Sequence, residues 1–418
     1  MTNQQSDDAV RRQARPGRRS WIVIAVYEDY ARDSRVRRHA RALVQDGYKV
    51  LAIALGGPEA VSAAAEDGVE LHRLGTRKYR GGRKLRYLWA YFTFFIRLTF
   101  AITAAIRRHL LAVWINNPPD ALVFAALPAR LFGARVVLDV HDMTSDLFAA
   151  KFGPSRVSGR LVRGIEGLSY RAASGIATVH APYRDRIAAR VPGKPTVDVL
   201  NVPDYADWPA IGQARAATAG NVRPGVLMLG HHGTIVTRFG CDIAVRAVGI
   251  LRDRGMSVRL NILGDGDFAP RLCSLIEGLG LDEQVHFDRR VFRPDEVATF
   301  AGSIDIGLAP YRPSTFLDNA LPVKVLEYIV LGVAVIATPT AVTRQYVGER
   351  AIRYLEAPDP ELLANAISEL ADPGRRQELT ADREVARQLA WPAQREQLLD
   401  WFAELVRVER IAKDPTCP

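Results

Sequence analysis

Short apolar runs alternate along this chain with longer stretches whose apolar residues recur every three or four positions. WIVIAV (21–26) is a continuous apolar run and predicts a buried strand. In RVRRHARALVQDGYKVLAIAL, which follows, Val36, Ala40 and Leu43 fall on one helical face, Gly47 turns the chain, and a second strand is predicted beyond it. ALVFAAL precedes a strand in ARVVLDVHD (134–142), and GIATVHAP (175–182) and TVDVLNVPD (196–204) predict two more. A polar, Ala-rich spacer occupies 210–224. The rhythm then restarts with VLMLGHHG (226–233), VRLNILGDGD (258–267), QVHFDRRV (284–291), IDIGLAPY (304–311) and VAVIATP (333–339). Strands alternating with helical segments predict α/β architecture with parallel, doubly wound sheets.

The interruption divides the chain into two Rossmann-like domains, 20–205 and 206–388, with a polar, Arg-rich tail at 1–19 and a final helix at 389–412. In that helix Leu398, Trp401, Phe402 and Leu405 share a face, which predicts packing, toward the N-terminal domain. Open α/β sheets bind ligands beyond the carboxyl ends of their strands. The polar clusters at 141–142, 231–234 and 264–267 stand at such ends, and a cleft between two domains is the natural place for a site.

Composition changes this picture little. Of the 418 residues, 48% are apolar, enough for two full cores. Cys241, Cys273 and Cys417 have no metal-ligand or disulfide spacing, which fits a reducing cytoplasm. The tail lacks the apolar stretch of a secretory signal and is expected to be disordered.

Charge changes it more. Residues 1–200 carry 32 Lys and Arg against 17 Asp and Glu, while 201–418 carry 24 against 29. A basic front half points to an anionic partner. RKYRGGRKLR (77–86) has six basic residues in ten, and YLWAYFTFFIRLTFAITAAI (87–106) has Arg97 as its one charge. The length matches a bilayer span, but an arginine at a helix centre costs about 2.5–3.5 kcal/mol in a membrane. A span would also split the first domain. A helix on the sheet, with part of its aromatic face at an anionic membrane surface through 77–108, fits both facts. The basic segments carry no reader fold for nucleic acid, and none is expected as a partner.

Candidate chemistry concentrates in NALPVKVLEYIVLGVAVIATP (319–339). Asp318 and Asn319 are cap residues and Pro322 suits a first helical turn. Lys324 and Glu327 then lie three apart on one face of the helix start. The lysine could clamp phosphate at a helix N-terminus, and the carboxylate could accept from the vicinal hydroxyls of a ribose. A plain surface ion pair fits the same spacing.

LPVKVLEYIVLGVAVIATP is similar to the donor-site segment of family-4-type glycosyltransferases of the GT-B fold. HHGTIVTRFGCDIAVRA (231–247), NILGDGDF, DIGLAPYRP, NNPPDALVFAAL, VLDVHD and LNVPD also resemble segments of that family, in family order, over about 21–408. The resemblance implies two Rossmann-like domains facing a central cleft. It implies transfer of a sugar from a nucleotide-sugar with retention, without an obligatory metal. By the same resemblance Gly233 and Thr234 form a loop that approaches the donor diphosphate, Arg238 and Lys324 supply its positive charge, and Glu327 holds the ribose. His141 would face the transferred sugar as a hydrogen-bonding group.

The departures are specific. Relatives often carry Arg directly after the glycine and Lys six after it; here Thr234 and Phe239 stand there, with Arg238 one earlier. The first glutamate of the family's E-x7-E pair is Asn319. A glycine-rich loop common before the first helix is replaced by VYEDYARDS. Asp265 and Asp267 form a nominal DxD that looks like a turn rather than a metal site. A lipid-linked acceptor in surface polysaccharide assembly, handled at the cytoplasmic face of the membrane, is expected by analogy. A degenerate subunit scaffolding an active partner, or a sugar-nucleotide epimerase, are the alternatives.

Overall fold

A computed structural model describes residues 20–56, 64–76, 84–152, 156–202, 204, 225–292, 296–381, 385 and 388–413. The tail 1–19, most of the basic cluster at 77–86, the spacer and Cys417 lie outside those residues. The chain forms two compact units, residues 1–200 with 394–418, and residues 201–393.

The first unit is built on an eight-stranded sheet ordered β3-β4-β2-β1-β5-β6-β7-β8. Its strands are β1 Trp21–Val26, β2 Lys49–Ala54, β3 Ala64–Glu66, β4 Val69–Arg73, β5 Leu110–Asn116, β6 Arg135–Val140, β7 Gly175–Thr178 and β8 Thr196–Asp198. β3 runs antiparallel to β4 and the other pairings are parallel. Helices α1 Ser34–Gln45, α2 Lys84–Ala105, α3 Leu127–Leu131, α4 Thr144–Phe152, α5 Arg156–Ala172 and α6 Ala181–Arg190 complete the unit together with a last helix described below. β1, β5 and β6 are buried along nearly their whole length, as a sheet covered on both faces requires.

Strand β5 is central, yet the apolar pattern predicts no strand there. LLAVWIN follows the apolar stretch 87–106 after only Arg107, Arg108 and His109, so the two apolar stretches read as one long segment. ALVFAAL forms a 3-10 turn over Asp120–Ala126, which seats Leu122, Val123 and Ala125 in the core.

The second unit carries a six-stranded parallel sheet ordered β11-β10-β9-β12-β13-β14. The strands are β9 Leu227–His232, β10 Val258–Leu263, β11 Val285–Asp288, β12 Ile306–Ala309, β13 Ala334–Ala337 and β14 Arg353–Tyr354. Its helices are α7 Cys241–Asp253, α8 Ala269–Gly278, α9 Glu296–Gly302, α10 Thr315–Asp318, α11 Val323–Val330, α12 Ala341–Val347, α13 Pro360–Glu369 and α14 Pro373–Thr380. Residues of β9, β10, β12 and β13 pack with α7 and α13 into one core.

The last helix, α15 Trp391–Lys413, returns to the first unit. Phe402 packs its ring 5.5 Å from Trp114 on β5 and 5.7 Å from Tyr48. At the helix start Gln394 Oε1 accepts from the Leu200 N–H at 2.8 Å. Of the row that the amphipathic pattern picks out, Leu398, Phe402 and Leu405 are buried and Trp401 is half-buried.

Candidate functional site

In the second sheet the strand order reverses between β9 and β12, and the side chains of interest gather at the carboxyl end of that junction. His231 and His232 end β9. Gly233 follows with φ +113°, a backbone that favours glycine. Its N–H donates to Leu263 O at 2.9 Å, and a Cβ on Gly264 would fall 1.9 Å from Gly233 O. The β10 loop can therefore lie against the β9 turn because Gly264 carries no side chain.

α11 starts beside this turn. Asp318 and Asn319 do not cap it, contrary to the sequence expectation. They end α10, and Pro322 occupies the cap of α11 with no side-chain hydrogen bond. The extended backbone fixed by Pro322 sets the start of α11 later than the cap residues suggest. Lys324 and Glu327 are thus the second and fifth residues of the helix.

The two charges have separate partners. Lys324 is buried, and its Nζ lies 3.2 Å from His231 Nε2. The ammonium sits 5.2 Å from the Phe239 ring centre and 5.5 Å from that of Tyr311. Aromatic faces attract a cation. Burial draws the Lys324 pKa down to about 8, against the opposing pull of Cys241 and Glu327. A Cβ on Gly233 would lie 3.5 Å from Nζ, so the lysine head stands against the glycine turn.

Glu327 Oε2 lies 2.8 Å from His232 Nε2. The other ring nitrogen of His232 lies 2.8 Å from the Tyr328 hydroxyl. In the neutral ring Nε2–H donates to the carboxylate and Nδ1 accepts from Tyr328. That arrangement fixes one carboxylate oxygen, Oε2, on the His232 ring.

Thr234 is exposed beside Gly233. Arg238 is exposed on the following turn, its guanidinium 5.0 Å from the Phe239 ring centre. Arg312 braces that turn. It grips Asp242 with both arms at 2.9 and 2.7 Å and donates to Thr237 O at 2.6 Å. Asn319 is half-buried at the end of α10, and Thr340 Oγ1 donates to the adjacent Ala320 O at 3.1 Å. Asp265 pairs with Arg289 at 2.8 Å. Among the described residues, no group of three His, Cys, Asp or Glu side chains stands together as metal ligands would.

His141 belongs to the first unit, just past the end of β6. Its backbone N–H donates to Asn117 Oδ1 at 2.6 Å. Its Nε2 lies 3.1 Å from Asn116 Oδ1 and 3.6 Å from Asp139 Oδ2. The Asn116 amide is oriented by donating to Ala25 O, so its Oδ1 is the acceptor and Nε2 of His141 carries a hydrogen toward it. Asn117 is itself oriented by the buried Asp120, at 3.0 Å. Burial raises the Asp120 pKa to about 6.

Asp139, fully buried, is the hub. Arg35 meets it at 2.8 and 3.2 Å and His39 at 3.1 Å. Arg35 also donates to Val199 O and Thr178 O, at 2.6 and 3.1 Å. Asp33 starts α1 by accepting from the Val36 N–H at 3.0 Å, which sets the face that carries Arg35 and His39 inward.

Sequence reasoning brings out Lys324, Glu327, Gly233, His141 and the polar cluster 231–234, but does not show that His231 and His232 meet the two charges, and misses Tyr328, Arg312, Asn117 and the Arg35–Asp139 pair. Signals exist for some of these. An aspartate inside VLDV and two histidines ending an apolar strand both need partners once buried.

Comparison with known proteins adds a family. A model described as "Glycosyl transferases group 1" matches residues 223–372, and one described as "Glycosyl transferase 4-like domain" matches 33–203. A 2-deoxystreptamine glucosyltransferase of Streptomyces kanamyceticus is 26% identical over 209 residues. That match covers 48% of this chain and 53% of the relative, so it spans about half the relative's length. The fold resembles sucrose-phosphate synthase of Thermosynechococcus elongatus, with TM-score 0.75, 17% identity and coverage of 93% of this chain and 100% of that one. It also resembles HepE of Anabaena, solved with UDP and glucose, with TM-score 0.69, 13% identity and coverage of 92% and 100%.

Proposed function

The chain belongs to the group 1 glycosyltransferases of GT-B architecture, and from that premise we propose that it is an active, retaining transferase taking a sugar from a UDP- or GDP-linked donor. The observation that carries this reading is Lys324 and Glu327 at the start of α11, each held by its own histidine, beside a glycine turn. A surface ion pair would need none of this support. The lysine and Arg238 supply charge to the departing diphosphate, and the Gly233 turn admits its oxygens. Such charge-assisted contacts are strongest where water is excluded. Glu327 takes the ribose hydroxyls. His141, with Nε2–H occupied by Asn116, offers Nδ1 to a hydroxyl of the transferred sugar. Asn319, lacking a charge, can hydrogen-bond the sugar but cannot stabilise a cationic centre electrostatically.

Calorimetric titration with UDP and with GDP tests the reading. Binding of one nucleotide supports it and names the donor base. If neither binds, nor ADP, dTDP or their sugar-linked forms, the chain is instead a catalytically degenerate subunit that scaffolds an active partner.

The acceptor reading rests on α2. Phe94, Leu98 and Ile102 are buried in the core of the first unit, whereas Trp89 is 66% and Phe100 72% exposed. The stretch Trp89–Arg108 is long and apolar enough to cross a membrane, but its buried row is part of that core. An exposed aromatic row beside Arg86, Arg107 and Arg108 suits an anionic lipid surface, where each basic residue adds about 1 kcal/mol. The enzyme would then work peripherally on the cytoplasmic face, on a lipid-linked acceptor. In vesicle flotation we expect retention on anionic phospholipid, little on neutral phospholipid, and loss on combining Trp89→Ser, Phe92→Ser and Phe100→Ser. Equal flotation of that variant would count against the membrane face.

A further inference from the structure

We propose that His231 is a positioning residue for donor binding: its ring, anchored to the β12 backbone, presents Nε2 as the acceptor that aims the Lys324 ammonium at the Gly233 turn. The inference rests on the donor-site reading above and adds a residue whose action passes through Lys324.

The ring's orientation follows from its two contacts. Nδ1 lies 3.0 Å from Leu308 O. A carbonyl oxygen accepts, so Nδ1 carries the hydrogen and Nε2 keeps its lone pair. That lone pair is 3.2 Å from Lys324 Nζ, which donates to it. Burial and the neighbouring ammonium hold the His231 pKa well below its ordinary value, so the ring stays neutral. It therefore works as a fixed dipole rather than as an acid or base. Leu308 lies on β12, which pairs directly with β9, so the anchor is a sheet strand and not a loop.

The lysine needs such a guide. A four-carbon stem is flexible, and two aromatic faces attract the ammonium without fixing its direction. The histidine supplies the directional contact. The groups facing the ammonium are His231 on β9, Cys241 on α7, Tyr311 after β12 and Glu327 on α11 itself. Burial pushes the Cys241 thiol up to about 12 and raises the Tyr311 phenol, so both are neutral near pH 7. Removing the histidine acceptor takes away a group that favours the charged lysine. Nucleotide affinity should then weaken, and its loss at high pH should begin at a lower pH.

Two substitutions separate positioning from simple support. His231→Gln places an amide oxygen near Nε2 and keeps the acceptor for Lys324. His231→Asn places its amide near Nδ1 and keeps the donor to Leu308. The nucleotide that wild type binds is titrated calorimetrically into each variant from pH 6.5 to 9.5. We expect His231→Gln to stay near wild type and His231→Asn to bind about tenfold more weakly, with its alkaline loss moved to lower pH. The reverse order would overturn the proposal, because it would mean that the Leu308 contact matters and the lysine contact does not. If both variants weaken, the same pair in a Lys324→Met background decides. No further loss there supports action through Lys324, and an equal further loss overturns it. Failure of wild type to bind any nucleotide is a separate result and refutes the donor site itself.

Discussion

Glu327→Ala is expected to lower kcat/KM for sugar transfer by about a hundredfold or more while leaving the protein folded. A carboxylate that accepts from ribose hydroxyls makes charge-assisted hydrogen bonds worth about 1.5–3 kcal/mol each, and two of them account for a loss of that size. The structural cost is smaller. Glu327 is partly exposed, and its removal leaves the His232 Nε2–H without its acceptor, worth about 1–2 kcal/mol. Glu327→Gln should fare little better. Its amide oxygen would turn to the His232 N–H, which leaves an NH2 group toward the ribose where an acceptor is needed. Steady-state kinetics with the cognate donor, read beside a thermal melt, measure both effects. Near-normal transfer by Glu327→Ala would refute the donor-site assignment.

The largest stability effect is expected in the first unit, at Asp139. Its carboxylate and the Arg35 guanidinium are 0% and 3% exposed, so neutralising one charge strands the other. Breaking a buried pair in this way costs about 3–5 kcal/mol, a large share of the roughly 5–15 kcal/mol that holds a domain folded. Asp139→Asn should therefore melt far below wild type. Burial alone would raise the Asp139 pKa. Arg35, with His141 and His39, overrides burial and holds it well below the carboxylate range. A depressed native pKa gives stability that is present above the unfolded value, about 3.9, and lost as pH falls through the native value. Two neighbours titrate nearby. His39, lowered to about 4 by burial and Arg35, also costs stability as pH falls from 6.5. Asp120, raised to about 6 by burial, acts in the opposite sense between about 4 and 6. The Asp139 contribution is accordingly the difference between wild type and Asp139→Asn in an acid series of denaturant melts. A difference that stays constant below pH 4 would contradict the assigned pairing.

The two sheets were legible because parallel strands buried on both faces read as unbroken apolar runs. Where that signal merged with another it failed: β5 hid behind α2. Short β3, β4 and β14 gave too little pattern. At the site, Lys324 and Glu327 stood out because charge is costly within an apolar segment. Their histidines did not, since nothing local tells which ring nitrogen meets which residue about 95 positions away. The helix start was misplaced because Asp318 and Asn319 are good caps for a helix that begins elsewhere. Arg35 lay in plain view in DSRV, but only the folded chain, which brings Asp139 on β6 within 2.8 Å of it, shows that the two answer one another.

The returning helix α15 gives the chain an order of completion. The second unit is one uninterrupted stretch, so everything needed to close its core has been synthesised once residue 393 is made. The first unit begins earlier but finishes later. Until the stretch around Phe402 emerges, Trp114 and Tyr48 lack a covering surface. On the ribosome, the half that starts first is therefore the half that must wait.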